Sequence, residues 1–258
     1  MDFSLVPVSD TTFFNFIYLG LASKDKNLTA MFNTRGNTMV KESLAADLDI
    51  DYLDTDYIDD NKTYKRGFLS DLLIGGLRLN KVPVLVAKDK AFDLGHDPMG
   101  NTNACDMVLG WNVISQFSWR AYPKEGRFEV QTSDFKKPSG KKTNQPIINI
   151  EVAGEITKAA IDSSRPLTII SPSLAKKATA DDEEVSKTIA MLDEDSKNLT
   201  HLSRLFFKVD GKKVRLGTVG VEKDLENKDI ELVFGSDLLR STNWAIYGPT
   251  AYIRLENY

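Results

Sequence analysis

The chain has 258 residues, enough for one large or two small domains that each bury a core, and its 41% hydrophobic and 27% charged content is ordinary for a globular protein. A net charge of −4 gives no general attraction to nucleic acid or to anionic membrane, so neither is expected as a partner. The single cysteine, Cys105, excludes an internal disulfide, and no apolar run approaches the ~20 residues that span a bilayer.

Met1 to Val8 alternates like a strand and lacks the basic start and long apolar run of a signal peptide, which with the single cysteine favours a cytoplasmic location, unless an earlier leader has been removed. Residues 12–21 are rich in aromatic and β-branched types and are predicted as a strand. A polar turn over Ser23 to Asn27 then leads to a second strand, Leu28 to Phe32, so that a hairpin delivers Asn33 at its exit. A short helical stretch is predicted over Lys41 to Ala46. The acidic segment Asp47 to Asp60, with Tyr52 and Tyr57, reads as a solvated loop or edge hairpin, with a flap over a cleft as the alternative. Leu77 to Val86 alternates as a hairpin arm. Asp89 to Asp106 reads as a loop; its His96 has no second histidine nearby, and His201 is far away, so no metal site is expected.

Trp119 to Thr132 is predicted to form the last strands of the first half. Ser133 to Pro146 is polar, carries Gly and Pro, and reads as a linker, giving units at 1–132 and 147–258. In the second half Ile147 to Val152, a turn near Gly154, and Ala159 to Ile161 deliver Asp162 at a strand end. Pro172 to Lys177 is predicted helical and shares the triplet Ser-Leu-Ala with the first half (Ser173 to Ala175, Ser43 to Ala45). Within Asp181 to Lys197, Val185, Ile189 and Leu192 recur at helical spacing behind an acidic start, which predicts an amphipathic surface helix. Val214 to Val221 answers the hairpin arm of the first half.

Two motifs occur once per half, and such internal repetition decides the architecture. Ala30-Met31-Phe32-Asn33-Thr34-Arg35-Gly36 returns as Ala160-Ile161-Asp162-Ser163-Ser164-Arg165, with an apolar residue closing each stretch seven positions after its polar one (Val40, Ile169). Val108-Leu109-Gly110-Trp111-Asn112 lies over Val233-Phe234-Gly235-Ser236-Asp237 without a gap, and the same alignment superposes Trp119 on Trp244. Matching positions in both halves point to packing for the two tryptophans.

At these residues the chain resembles the aspartic proteases of the retropepsin-like and pepsin-like group. The resemblance implies an all-β, bilobal fold with a pseudo-twofold internal repeat, a few short helices and a substrate cleft between the lobes. It places the two catalytic positions on Asn33 and Asp162. In such enzymes two adjacent carboxylates share one proton, one acting as general base on a water while the other serves the substrate carbonyl. Asn33 is an amide and cannot share an acid proton. Thr34 and Ser163 keep the hydroxyls that in this family reach across to the opposite strand's backbone. Arg35 and Ser164 stand where the family has glycine; Arg35 either turns out to solvent, the first expectation, or, as the sharper alternative, meets Asp162 in a salt bridge that takes the place of the shared proton.

The expectation is therefore a pseudoprotease: a monomer, or a member of a larger assembly, that binds a polypeptide segment or protein partner through Thr34, Arg35, Ser163 and Ser164, with neither metal nor other cofactor. The alternative is an active endopeptidase whose position 33 carries an engineered Asp-to-Asn change, which would account for Asn33 but not for Arg35 or Ser164.

Overall fold

The computed structural model describes residues 4–7, 16–59, 62–96, 102–132, 145–180, 201–202, 204–217, 219–226 and 228–257. The helix expected between Asp181 and Lys197 and nearly all of the expected linker lie outside them. Among the described residues strands dominate, helices are short, and none is long and apolar enough to cross a membrane.

Both halves begin with the same device. Tyr18–Ser23 pairs with Lys26–Phe32, and Ile147–Val152 pairs with Glu155–Ile161, each through a two-residue turn. In the second turn Ala153 and Gly154 both adopt positive φ (49° and 79°), the conformation whose twist matches a tight hairpin, and Gly154 meets it without steric cost. Along Lys26–Phe32 the outer residues are mostly exposed, whereas Ala30, Met31 and Phe32 are all buried; Glu155–Ile161 repeats this with Ala159, Ala160 and Ile161. The inner end of each strand gains a second neighbour, which is why alternation gives way to burial on both faces. That neighbour is Met107–Leu109, parallel to the first, and Leu232–Phe234, parallel to the second.

The same two neighbours pair antiparallel with Met39–Lys41 and Ile169–Ile170. Their register corrects one equivalence: Met107 faces Val40 and Leu232 faces Ile170, so Val40 answers Ile170, not Ile169. The second motif loop is one residue longer than the first. The helical stretches follow at Glu42–Ala45 and Pro172–Ala180. An acid from the segment after the next strand of the sheet receives each serine N–H: Ser43 N donates to Asp89 and Ser173 N to Glu226, both at 3.1 Å, although Glu226 lies two residues beyond the position equivalent to Asp89.

Among the described residues the first half contributes a 10-stranded sheet built from strands between residues 18 and 87 together with Met107–Leu109. Ser118–Tyr122 and Arg127–Gln131 lie outside it, because Ser118–Tyr122 pairs antiparallel with Asn243–Tyr247 and so continues the larger, 13-stranded sheet. The expected last strands of the first half thus join it to the second. Leu77 to Val86 is two strands, not one arm: Leu77–Leu79 turns back on Leu72–Ile74, while Val82–Ala87 pairs with Lys62–Leu69. The expected loop over Asp89 to Asp106 carries a 3-10 turn (Asp89–Phe92) and a small ladder between Asp93–His96 and Thr102–Ala104.

The core runs through both halves as one cluster. At its centre Phe32 packs against Trp119, Phe128 and Trp244, with ring centroids 5.4, 5.5 and 5.7 Å away. Both tryptophans are fully buried, and each donates its indole N–H to the carbonyl five residues earlier, Ile114 and Leu239. They are packing residues, as their matched positions implied.

Candidate active site

Asn33 and Asp162 leave their strands in the same way, each donating its backbone N–H at 2.9 Å to the last carbonyl of the parallel neighbour, Leu109 and Phe234. Each then folds its side chain over the loop that follows. Asn33 Oδ1 accepts from Arg35 N at 2.9 Å, and Asp162 Oδ1 accepts from Ser164 N at 3.1 Å. Arg35 and Ser164 are therefore equivalent positions, as the motif alignment required.

The two loops are fastened to each other by their hydroxyls. Thr34 Oγ1 donates to Ile161 O and accepts from Ser163 N, both at 3.0 Å. Ser163 Oγ donates to Phe32 O at 2.6 Å and accepts from Thr34 N at 2.9 Å. Thr34 and Ser163 are fully buried, so these four reciprocal bonds leave no unmet donor at the joint. They bring residues 32–35 and 161–164 together at one seam, although more than a hundred residues separate them.

A second ring of bonds holds each loop against the strand beneath it. Thr38 Oγ1 accepts from Gly110 N (3.0 Å) while Asn112 Oδ1 accepts from both Thr38 N and Thr38 Oγ1 (2.8 Å each). In the other half Thr168 Oγ1 accepts from Gly235 N (3.2 Å), and the carboxylate of Asp237 takes the Thr168 N–H (3.0 Å) and hydroxyl (2.8 Å). Glycine is required at 110 and 235 by close approach. A Cβ would stand 2.3 Å from the carbonyl carbon of Asn37 in one case and 2.6 Å from that of Leu167 in the other.

The electrostatics of the seam centre on Asp162, whose side chain is only 4% exposed. Its Oδ1 accepts the Ser164 hydroxyl at 2.5 Å as well as the Ser164 N–H. Its Oδ2 faces two guanidinium groups: Arg35 Nη1 at 3.4 Å and Arg165 Nε at 3.8 Å. Arg35 thus meets Asp162 directly, the alternative to an arginine turned wholly to solvent, even though 63% of its side chain is exposed. Arg165 also donates to Glu222 Oε1 at 3.0 Å. Arg165 and Glu222 were not singled out by the sequence reading; only the basic residue three places beyond Asp162 hinted at them. The locks made by Asn112 and Asp237 were carried by the repeated motif itself.

The acidic segment is an edge hairpin: Ile50–Tyr52 and Tyr57–Asp59 both pair with Lys62–Leu69. It also borders the site, since Leu53 and Tyr57 line a cavity of about 160 Å³ together with Asn37, Thr38, Arg66 and Asn112. Among the described residues no group of three or more His, Cys, Asp or Glu could hold a metal ion. Cys105 is distant in role: it is buried in a separate apolar cluster with Tyr18 and Phe92, where burial pushes its thiol up to about 11.

Chemically the seam holds one carboxylate and one amide where proton sharing needs two carboxylates, and the carboxylate is occupied on both oxygens.

No family model matches the sequence, and no curated protein matches it at the sequence level. Among solved structures the chain is similar to the aspartic proteinase from Irpex lacteus, with a TM-score of 0.58 over 99% of this chain and 97% of that one, at 13% identity. At that identity the likeness is one of fold: the chain has the two-lobed, all-β architecture of a pepsin-like aspartic proteinase.

Proposed function

We propose that the chain is a pepsin-fold protein without peptidase activity, one that holds a polypeptide segment or a partner protein between its halves or serves as a structural module of a larger assembly. The observation that carries this reading is the state of Asp162. Its partner position is the amide Asn33, and its own oxygens are taken by Ser164 and by the guanidinium of Arg35. A water at this seam would meet no pair of carboxylates able to pass a proton between them. The buried hydroxyl bonds of Thr34 and Ser163 support the same reading from the other side, since the scaffold is maintained where the chemistry is altered.

An active endopeptidase with an engineered amide at position 33 accounts for Asn33 alone. Incubating an unfolded substrate protein at acid and neutral pH with this chain and with Asn33→Asp separates the two. We expect no cleavage by either, because Arg35 still occupies Asp162 after the carboxylate is restored. Cleavage by Asn33→Asp alone would favour the engineered enzyme, and cleavage by the unaltered chain would overturn the proposal.

A further inference from the structure

We infer that the seam recognises a carboxylate of its polypeptide ligand, either an acidic side chain or a free chain terminus, through Arg35 with the amide of Asn33. The inference rests on the reading of the chain as a polypeptide-binding module and adds the chemistry of what it holds.

The outward groups of the seam are hydrogen-bond donors. Asn33 Oδ1 is committed to Arg35 N, which turns the amide so that its NH₂ lies on the opposite edge. Among the described residues no hydrogen bond engages that NH₂. Arg35 meets Asp162 through Nη1 alone, at 3.4 Å, and its side chain is 63% exposed. A guanidinium is planar and has five N–H donors, so the edge formed by Nε and Nη2 is left to solvent, in the geometry that takes a carboxylate through two parallel bonds.

The anionic groups nearby do not spoil this. Asp162 is almost wholly buried, and both its oxygens are already occupied by Ser164 and the two arginines. Glu222, at the far side of Arg165, is paired with that guanidinium at 3.0 Å. A ligand carboxylate would complete a carboxylate–guanidinium–carboxylate sandwich in which Arg35 is the shared cation. Arg165, tied to Glu222 and Asp162 together, is the fixed member of the pair, and Arg35, held at one nitrogen, is the one free to accept a ligand.

Three pools of heptapeptides test this, random at six positions without Asp or Glu: a central Glu with both ends blocked, a central Gln with both ends blocked, and a central Gln with a free C-terminal carboxylate. Equilibrium dialysis against the full chain, read by mass spectrometry, reports retention and cleavage in the same sample. At least one carboxylate-bearing pool should be retained about tenfold more than the neutral pool, the scale of a charge-assisted pair. Which pool it is identifies the source of the carboxylate. Arg35→Gln should bring that preference to within about twofold; because it also takes one cation from the buried Asp162 carboxylate, it is compared at a temperature where circular dichroism shows both proteins folded. Equal retention of all three pools, or a preference that survives Arg35→Gln, overturns the inference and leaves the inactive-binder reading standing. Failure of every pool to bind at 1 mM overturns the inference as well. Peptide cleavage would instead bring down the parent reading together with this one.

Discussion

Thr34→Val removes one hydroxyl at the joint between the halves and almost nothing else, since valine nearly preserves the shape. Thr34, Ile161 and Ser163 are all fully buried. The Ser163 N–H would lose its acceptor and the Ile161 carbonyl its donor, both at 3.0 Å, at a joint whose residues are closed to bulk solvent. An orphaned buried donor costs about 1–3 kcal/mol, and a carbonyl, with its second lone pair, less, so the loss should be roughly 2–4 kcal/mol. For a chain of this length each kcal/mol lowers the melting temperature by about 2–4 °C, so a fall of roughly 5–15 °C is expected by circular dichroism. Ser163→Ala removes the mirror-image pair of bonds and should cost a similar amount. The control is Thr63→Val, an exposed strand position where the same chemical change should stay within about 0.5 kcal/mol. A Thr34→Val shift no larger than that of Thr63→Val would refute the assignment of the hydroxyls as the fastening between halves.

Gly110→Ala should destabilise by about 1–3 kcal/mol or abolish folding, because its methyl meets backbone at 2.3 Å, whereas Gly20→Ala, with nothing within 4 Å, should leave the melt nearly unchanged. Asp237→Asn should be tolerated within about 1 kcal/mol, since Asn112 performs the equivalent double acceptance with one amide oxygen; Asp237→Leu, which strands the Thr168 N–H and hydroxyl, should cost about 2–4 kcal/mol in urea unfolding. Cys105 should resist thiol reagents at pH 8 in the native protein and react fully in denaturant, because its thiol is buried and pushed up to about 11. The unfolded chain gives up this proton near the ordinary value of 9.0, so the unfolded state binds fewer protons above it. The contribution is therefore whole below pH 9 and is lost as pH rises from 9 to about 11; burial of Tyr18, also raised, acts in the same direction. Urea titrations at pH 8 and pH 10.5 should show the fall, and a smaller fall in Cys105→Ala, with the remainder left to Tyr18, would assign the thiol's share.

Much of this architecture can be read from residues in pairs. Gly110 with Gly235 and Trp119 with Trp244 marked equivalent places because each serves a need of packing that recurs in both halves: close backbone approach for the glycines, a filled centre for the tryptophans. The strands ending at Asn33 and Asp162 were legible because the turns ahead of them are polar and their inner ends uniformly apolar. The one-residue offset that sets Val40 against Ile170 was not, since Ile169 and Ile170 are chemically alike and only strand register tells them apart. Nor was the sharing of Ser118–Tyr122 with the second half, because a strand's own pattern does not name its neighbour. At the site, the motif positions left Arg35 either turned to solvent or against Asp162, and only the structure decides for the contact. Arg165 escaped because it lies in the extra residue's loop and finds Glu222 fifty-seven positions away.

The proposal that the chain lacks peptidase activity is tested most directly by searching for new termini. An unfolded substrate protein incubated with this chain from pH 3 to 8, with Asp162→Asn as the control for contaminating proteases, should yield identical mass spectra with no enzyme-dependent fragments. Fragments made by the unaltered chain and missing with Asp162→Asn would show that Asp162 still activates water beside Asn33 and Arg35, in contradiction to the function proposed.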